Sequence, residues 1–410
     1  MTDEAKSVSL RQLLNPAVVV GALGYFVDIY DLLLFNIVRI PSLKSLGVSG
    51  AGLVDTGLTL LNLQMAGALV GGVLFGILGD RKGRMKILFG SILLYSIATL
   101  GNAFVTDVNQ YAILRFVAGI GLAGELGAGI TLVAESLPVH LRGYGTAIVP
   151  AFGVTGALLA DTVARNFDWR TAYIVGGTMG LLLLLLRIGV YESKLFTEAR
   201  TGGVAAGNFL ALFTSFSRFR RFSCSFLLGL PLWFIVGLLV ALSPEFGIAT
   251  GAKGPISAGT AVVWTYAGFA TGDLASGFLS QAIHSRRRAL GLFLGLTAAS
   301  VAYYMTLSEA TPRQIYVACG MMGFSGGYWA VMLTLAAESF GTNLRATVTT
   351  SVPNFVRGAL IPVTAVFQLL RVPLGLLPAA AVVGATCLLI AILAILPLKE
   401  TWGKDLDFVE

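Results

Sequence analysis

Apolar residues fill this chain in long runs, and short polar stretches between the runs hold most of the charge. A helix rises 1.5 Å per residue, so about 20 apolar residues are needed to cross roughly 30 Å of hydrocarbon. On that rule the pattern predicts twelve membrane spans, over residues 16–38, 54–79, 85–104, 108–136, 143–164, 169–190, 223–246, 256–282, 289–306, 313–337, 346–369 and 373–397. The fold class expected is therefore an all-α integral membrane protein.

The pattern also repeats. Ala134-Glu135-Ser136-Leu137 followed by Leu141-Arg142-Gly143 returns 203 positions later as Ala337-Glu338-Ser339-Phe340 followed by Leu344-Arg345-Ala346. In both copies the acid and the arginine are seven residues apart at the end of an apolar run. Duplicated membrane halves are the build of secondary transporters, in which one half moves against the other. The expected organisation is a six-helix bundle over 1–190, a cytoplasmic linker over 191–222 and a second six-helix bundle over 223–410, related by pseudo-symmetry. Within the linker, Asn208 to Phe222 alternates Leu and Phe with Arg218, Arg220 and Arg221. That stretch reads either as an amphipathic helix at the inner membrane surface or as a solvated connection.

Composition agrees with a bilayer as solvent. The chain is 56% hydrophobic and 12% charged, with a mean hydropathy of +0.83, where soluble domains carry roughly 25% charged residues. Its 50 glycines suit helices whose backbones approach closely. Cys224, Cys319 and Cys387 fall inside apolar runs and read as packing residues. The N-terminus shows no short apolar core ahead of a small-residue cleavage site, so span 1 is expected to act as its own insertion signal.

Most of the 28 Lys and Arg fall in the segments that lie inside if both termini are cytoplasmic, so the positive-inside rule predicts that orientation. The net charge of +7 then reflects topology, and nucleic acid is not an expected partner. His140 and His284 have no second ligand at metal spacing, and no phosphate-cradling loop for a nucleotide is present. Neither a metal, a cofactor, an ATP-driven pump nor an enzyme is expected.

Between spans 2 and 3, Gly76-Ile77-Leu78-Gly79-Asp80-Arg81-Lys82-Gly83-Arg84-Met85-Lys86 resembles the signature loop of the major facilitator superfamily. Other stretches resemble the branch of sugar porters, metabolite:proton symporters and phosphate:proton symporters: Arg115 with Gly119, Gly121, Gly124 and Glu125 in span 4, Arg187 with Glu192 and Ser193 after span 6, and Glu400-Thr401-Trp402-Gly403 after span 12. Lys399 stands where the sugar-porter ending has proline. Gly24-Tyr25-Phe26 with Asp28, Tyr30 and Asp31 in span 1 is similar to phosphate:proton symporters. The resemblance implies transport by alternating access. It also implies a cytoplasmic gate at Gly79, Asp80, Arg81, Gly83 and Arg84, with Glu135 and Arg142 and their repeats Glu338 and Arg345, in which Asp80 lies near Arg142. A worn second copy of the loop runs from Gly272-Asp273 to Arg286-Arg287-Arg288.

Charges within the spans point to the chemistry. Asp28, Asp31, Glu125 and Asp273 stand there against Arg115 and Arg357, which leaves four acids for two bases. An ionised group at span centre costs about 2.5–3.5 kcal/mol, so an acid lacking a counter-charge tends to hold a proton. Asp28 and Glu125 are read as proton-coupling groups with Asp31 as partner, and Arg115 as a structural pair for Asp31. A packing hydrogen bond is the alternative for Glu125. Arg357, beside Asn354 and Pro353, reads as an anion anchor or as a standing salt bridge to Asp273. Trp233 and Tyr328 are aromatic candidates for the cavity wall.

The function expected is a monomeric, proton-coupled importer of a small anionic metabolite, an organic acid, in a bacterial inner membrane. A proton-driven exporter of drugs or lipids, a sugar or phosphate symporter and a non-transporting sensor stand as alternatives.

Overall fold

The computed structural model describes residues 16–82, 84–124, 152–191 and 209–403, apart from some side chains within them, those of 76–88 included. No described residue is in a strand. The first half holds α1 (Pro16–Ser45), α2 (Gly52–Lys82), α3 (Arg84–Asn102), α4 (Val108–Leu122), α5 (Thr155–Asn166) and α6 (Trp169–Tyr191). After a 3-10 turn at Phe209–Phe213, span 7 is built in pieces: α7 (Phe216–Leu227), α8 (Leu230–Phe234), a π-helical turn (Ile235–Val240) and α9 (Ser243–Ala249). Spans 8 and 9 are α10 (Ala258–Ala282) and α11 (Arg286–Thr306). Span 10 is α12 (Pro312–Gly326) with α13 (Trp329–Glu338), span 11 is α14 (Thr342–Gly358) with α15 (Leu360–Leu374), and span 12 is α16 (Leu376–Ile395).

Eight described stretches are long and apolar enough to cross a bilayer by themselves. With α3, α4, α5 and α10 they make the twelve-span, two-bundle architecture. The outer surface is apolar, with Ile113, Leu185, Phe278 and Leu369 exposed, while Asp28, Asp31, Arg39, Arg115 and Arg357 are buried. Lipid solvates the first set, and only the bundle interior can satisfy the second.

Two crossings show the internal repeat in atomic terms. α2 meets α4 where Gly67 and Gly71 lie against the carbonyls of Phe116 and Ile120, and Gly119 against that of Gln64. α10 meets α12 in the same way, with Gly268 and Gly272 against the carbonyls of Gly320 and Phe324, and Gly323 against that of Thr265. The two sets are offset by the repeat distance to within two residues. A Cβ at any of these positions would overlap a neighbouring carbonyl, so glycine is what lets each pair of backbones touch. The halves face one another through α1 and α5 against α10, and through α2 against α14 and α15.

Three spans differ from the sequence reading. α1 runs on to Ser45 rather than stopping at 38, because Arg39 and Ser42 end the apolar run and yet are buried in protein. Span 7, expected as one helix, is interrupted, with Pro231 and Pro244 each in the first turn of a new segment. Proline is tolerated there because the first-turn N–H groups have no intrahelical acceptor. Span 10 breaks at Gly327 and Tyr328, where Gly327 lies against the backbone of Gly272 and Asp273. The described part of the linker is helical. Phe209, Phe222 and Phe226 pack on Phe355, with 5.1 Å between the Phe222 and Phe355 rings, while Leu210, Phe216 and Arg220 are exposed.

Candidate substrate and proton site

Side chains from three spans converge midway through the bundle. Tyr25 of α1 lies within electrostatic reach of Arg357, Asp273 and Asp28, and Tyr266 of α10 within reach of Tyr25 and Arg357. Asn354 donates to the carbonyls of Ala123 at 3.3 Å and Thr350 at 3.1 Å, and its side chain rests against Gly72. It therefore joins the second half to α2 and the end of α4, and its amide nitrogen is occupied. Its carbonyl oxygen is buried with no hydrogen-bond partner among the described residues.

Arg357 sits in the last turn of α14 and is 4% exposed. It forms no ion pair among the described residues, and its buried Nη1 has no hydrogen-bond partner. The standing bridge to Asp273 is not formed. Asp273 instead accepts the Ala330 N–H at 3.2 Å, at the start of the helix that resumes after the break in span 10. A carboxylate is well placed there, because the first N–H groups of a helix lack internal acceptors.

Asp31 of α1 is 2% exposed and accepts from Thr99 Oγ1 at 3.4 Å, while its Oδ1 has no hydrogen-bond partner among the described residues. The contact pair expected with Arg115 is not present. Arg115 lies within Coulombic range of Asp31, but its guanidinium donates to Gln64 and stands 4.9 Å over the Phe35 ring. Asp28 is buried at 3% exposure. Glu125, Glu135, Arg142 and Gly83 lie outside the described residues, as do Glu192 and Ser193. The backbone of Gly79, Asp80, Arg81 and Arg84 is helical. Of the aromatic candidates, Tyr328 is fully buried and donates to the Leu228 carbonyl at 3.0 Å, bracing the breaks in spans 7 and 10, and Trp233 is packed in the apolar core.

The count of four acids against two bases was incomplete. Asp161 is also buried, and Arg165 donates to it at 2.8 Å, while Arg187 in α6 is 1% exposed. More telling are three arginines just outside the predicted spans, Arg39, Arg165 and Arg371, and the groups they meet. Arg39, 2% exposed, pairs with Glu245 at 2.6 Å and donates to the Ala241 and Leu53 carbonyls, each at 3.1 Å. Arg371 pairs with Asp55 at 2.7 Å, Thr364 donates to Asn62 at 2.7 Å, and Arg165 donates to Thr260. All four contacts cross between the halves, and the three that involve arginine lie at the end of the bundle away from the termini. That distal end is latched shut. The signal available in the sequence was helical spacing: Asp28, Asp31, Asn36, Arg39 and Ser42 fall on one face of span 1.

At the opposite end, Glu338 pairs with Arg286 at 3.5 Å and accepts from Thr401 at 2.6 Å. Arg345 donates to the carbonyls of Ala337 at 3.2 Å and Phe340 at 3.4 Å, which ties the repeated motif together. Glu400 sits on the N-terminus of α11, where it accepts from the Ser285 hydroxyl and from the N–H groups of Arg286 at 2.9 Å and Arg287 at 3.2 Å. Burial alone would raise its pKa, but the bonds from Ser285, Trp402, Arg286 and Arg287 outweigh that and lower it to about 2. A depressed carboxyl stabilises the fold fully above its ordinary value of 4.5 and loses that contribution as the pH falls toward 2. Glu400→Gln is expected to lower the melting temperature at pH 7 and to flatten the loss of stability between pH 4.5 and 2, as read by scanning fluorimetry in detergent.

Twelve spans in two repeated halves, with buried polar groups where the halves meet, are the build of a membrane transporter. The sequence model of the Major Facilitator Superfamily matches residues 21–361, and the chain belongs to that family. It is 26% identical over 317 residues to a 3-(3-hydroxy-phenyl)propionate transporter of Escherichia coli, covering 74% of this chain and 77% of the other. A niacin transporter of Acinetobacter baylyi matches more locally, at 32% identity over 138 residues, 33% of this chain and 31% of the other. The solved structure of a D-xylose-proton symporter superposes with a TM-score of 0.69 at 19% identity, over 95% of this chain and 99% of that one.

Proposed function

We propose that the protein imports a small organic anion together with protons across a bacterial inner membrane, as a monomer with both termini in the cytoplasm. One observation carries this reading: Arg357 is a buried, always-charged group that forms no ion pair among the described residues. A guanidinium fork matches a carboxylate in two parallel hydrogen bonds, so an organic anion is the missing partner. Tyr25 and Tyr266 lie within electrostatic reach of it, and the relatives named for niacin and for 3-(3-hydroxy-phenyl)propionate handle carboxylates on or near a ring. Asn354 and Asp273 flank the anion. Protonation of Asp31, with Asp28 and Glu125, removes negative charge from the first half as the anion adds it to the centre, which lowers the cost of an occluded state. The family's loop at Gly79–Arg84, with Glu135, Arg142, Glu338 and Arg345, is assigned to the cytoplasmic gate. The distal end then faces outward.

Purified protein in liposomes tests this. Uptake of labelled 3-(3-hydroxyphenyl)propionate or nicotinate is expected to rise with an inward proton gradient and to collapse with a protonophore, and Asp31→Asn is expected to keep exchange while losing accumulation. Uptake indifferent to the gradient removes the symport reading, and failure of all carboxylates to bind removes the anion.

A further inference from the structure

Asp31 lies deep in span 1, and ordinary solvent does not reach it: it is 2% exposed. Around it stand Asp28 and Tyr30 on its own helix, Thr99 of α3, Arg115 of α4, and Tyr173 and Gly176 of α6. Gly176, one turn beyond Tyr173, presents bare backbone toward Asp31 Oδ1, the oxygen that has no hydrogen-bond partner among the described residues.

From there a row of buried hydroxyls leads to the distal end. Tyr173 lies within Coulombic range of both Asp31 and Arg115. Its hydroxyl meets that of Tyr111 at 2.5 Å, and either oxygen can be the donor. Tyr111 in turn donates to Ser42 Oγ at 3.4 Å, and Ser42 donates to the Arg39 carbonyl at 3.0 Å. Tyr111 and Tyr173 are fully buried, and so is Ser42, in the last turns of α1. Ser42 is eleven residues beyond Asp31, about 16 Å along the helix axis. Aromatic packing of Phe35, Trp169, Tyr111 and Tyr173 accounts for the rings. Rings alone do not need the three oxygens, whose burial is costly unless they bond one another.

We propose that Ser42, Tyr111 and Tyr173 are a proton conduit that charges Asp31 from the distal surface while the latch between the halves stays closed. This rests on the symport reading above. Each hydroxyl can donate or accept by turning about its C–O bond, so once Ser42 turns toward Tyr111 and Tyr111 toward Tyr173, a proton reaching Ser42 moves one proton on to each oxygen in turn, and a water between Tyr173 and Asp31 hands the last to Oδ1. The relay leaves the hydroxyls reversed, they turn back to reset it, and the net change is one carboxylate made neutral. Proton and anion therefore enter by separate routes: the proton through the first half, the anion between the halves.

The test compares Tyr111→Phe, Tyr173→Phe and the double variant in liposomes, since each change removes one oxygen and leaves the ring. Gradient-driven uptake is expected to slow by about tenfold or more, the scale of losing a positioned proton-transfer group. Carboxylate exchange at equal pH and the melting temperature are expected to stay near wild type. Unchanged driven uptake in the double variant overturns the conduit, and so does a parallel loss of driven uptake and exchange, which marks a packing role. If the wild-type protein shows no gradient-driven uptake, the symport reading falls and takes the conduit with it. Wild-type driving with insensitive tyrosines sinks the conduit alone.

Discussion

Replacing Arg357 with glutamine is expected to abolish transport and yet leave the ligand-free protein as stable as before, or more so. The two effects come from the same fact. Hydrogen bonds to a charged group are worth about 1.5–3 kcal/mol each, so losing a bidentate pair lowers anion affinity by roughly a hundredfold to ten-thousandfold. In the free protein, however, the guanidinium forms no ion pair among the described residues, so its removal leaves no bonded acid stranded and takes a charge out of a poorly solvated site. Arg357→Lys keeps the charge but not the fork and is expected to fall between wild type and Arg357→Gln. Binding by calorimetry and melting temperature with and without ligand separate these outcomes. A large loss of stability in the ligand-free Gln variant would mark Arg357 as structural and would remove the anion anchor.

Breaking the distal latch is expected to move the whole protein between its two states. Arg39 is 2% exposed and Glu245 16%, so both charges of this pair are largely withdrawn from water. Deleting one partner of such a pair costs about 3–5 kcal/mol, because the other charge stays buried alone. That cost falls on the latched state, where the two halves touch. An equilibrium shifted by this amount changes by roughly two to three and a half powers of ten. Glu245→Gln is therefore expected to open the distal end, and spin labels at the exposed Lys44, at the end of α1, and Lys253, in the loop after α9, would report a longer separation. The exchange Arg39→Glu with Glu245→Arg is expected to restore the short distance in part. A distance unchanged in Glu245→Gln would show that the Asp55–Arg371 pair and the Arg165–Thr260 contact hold the end closed without it.

Hydropathy carried the fold because membrane helices must satisfy their backbones within each segment, so an apolar run is itself the structural unit. The repeat at Glu135 and Glu338 carried the pseudo-symmetry for a similar reason. What hydropathy cannot see is a charge that is buried by protein beyond the end of an apolar run. Arg39 and Arg371 were read as loop residues for this reason, although both lie on helices that continue past the predicted ends. Asp273 shows the converse. Its position in a span was legible, but its partner is a backbone N–H exposed by the break in span 10, which no periodicity announces. Arg357 was legible as a charge in an apolar run, and only the packing distinguishes an anchor from a standing salt bridge.

The paired glycine crossings bear on which parts can bend. Where α2 meets α4, and α10 meets α12, backbone lies on backbone, with no side chain between them to change rotamer and absorb strain. Each crossing behaves as a weld. The breaks at Gly229, at the π-helical turn, at Gly327 and at Ala359 fall on spans 7, 10 and 11 of the second half, while α1, α2 and α6 of the first run without interruption. Spans 7, 10 and 11 thus carry joints at which each can bend, while the welded crossings keep their helix pairs together.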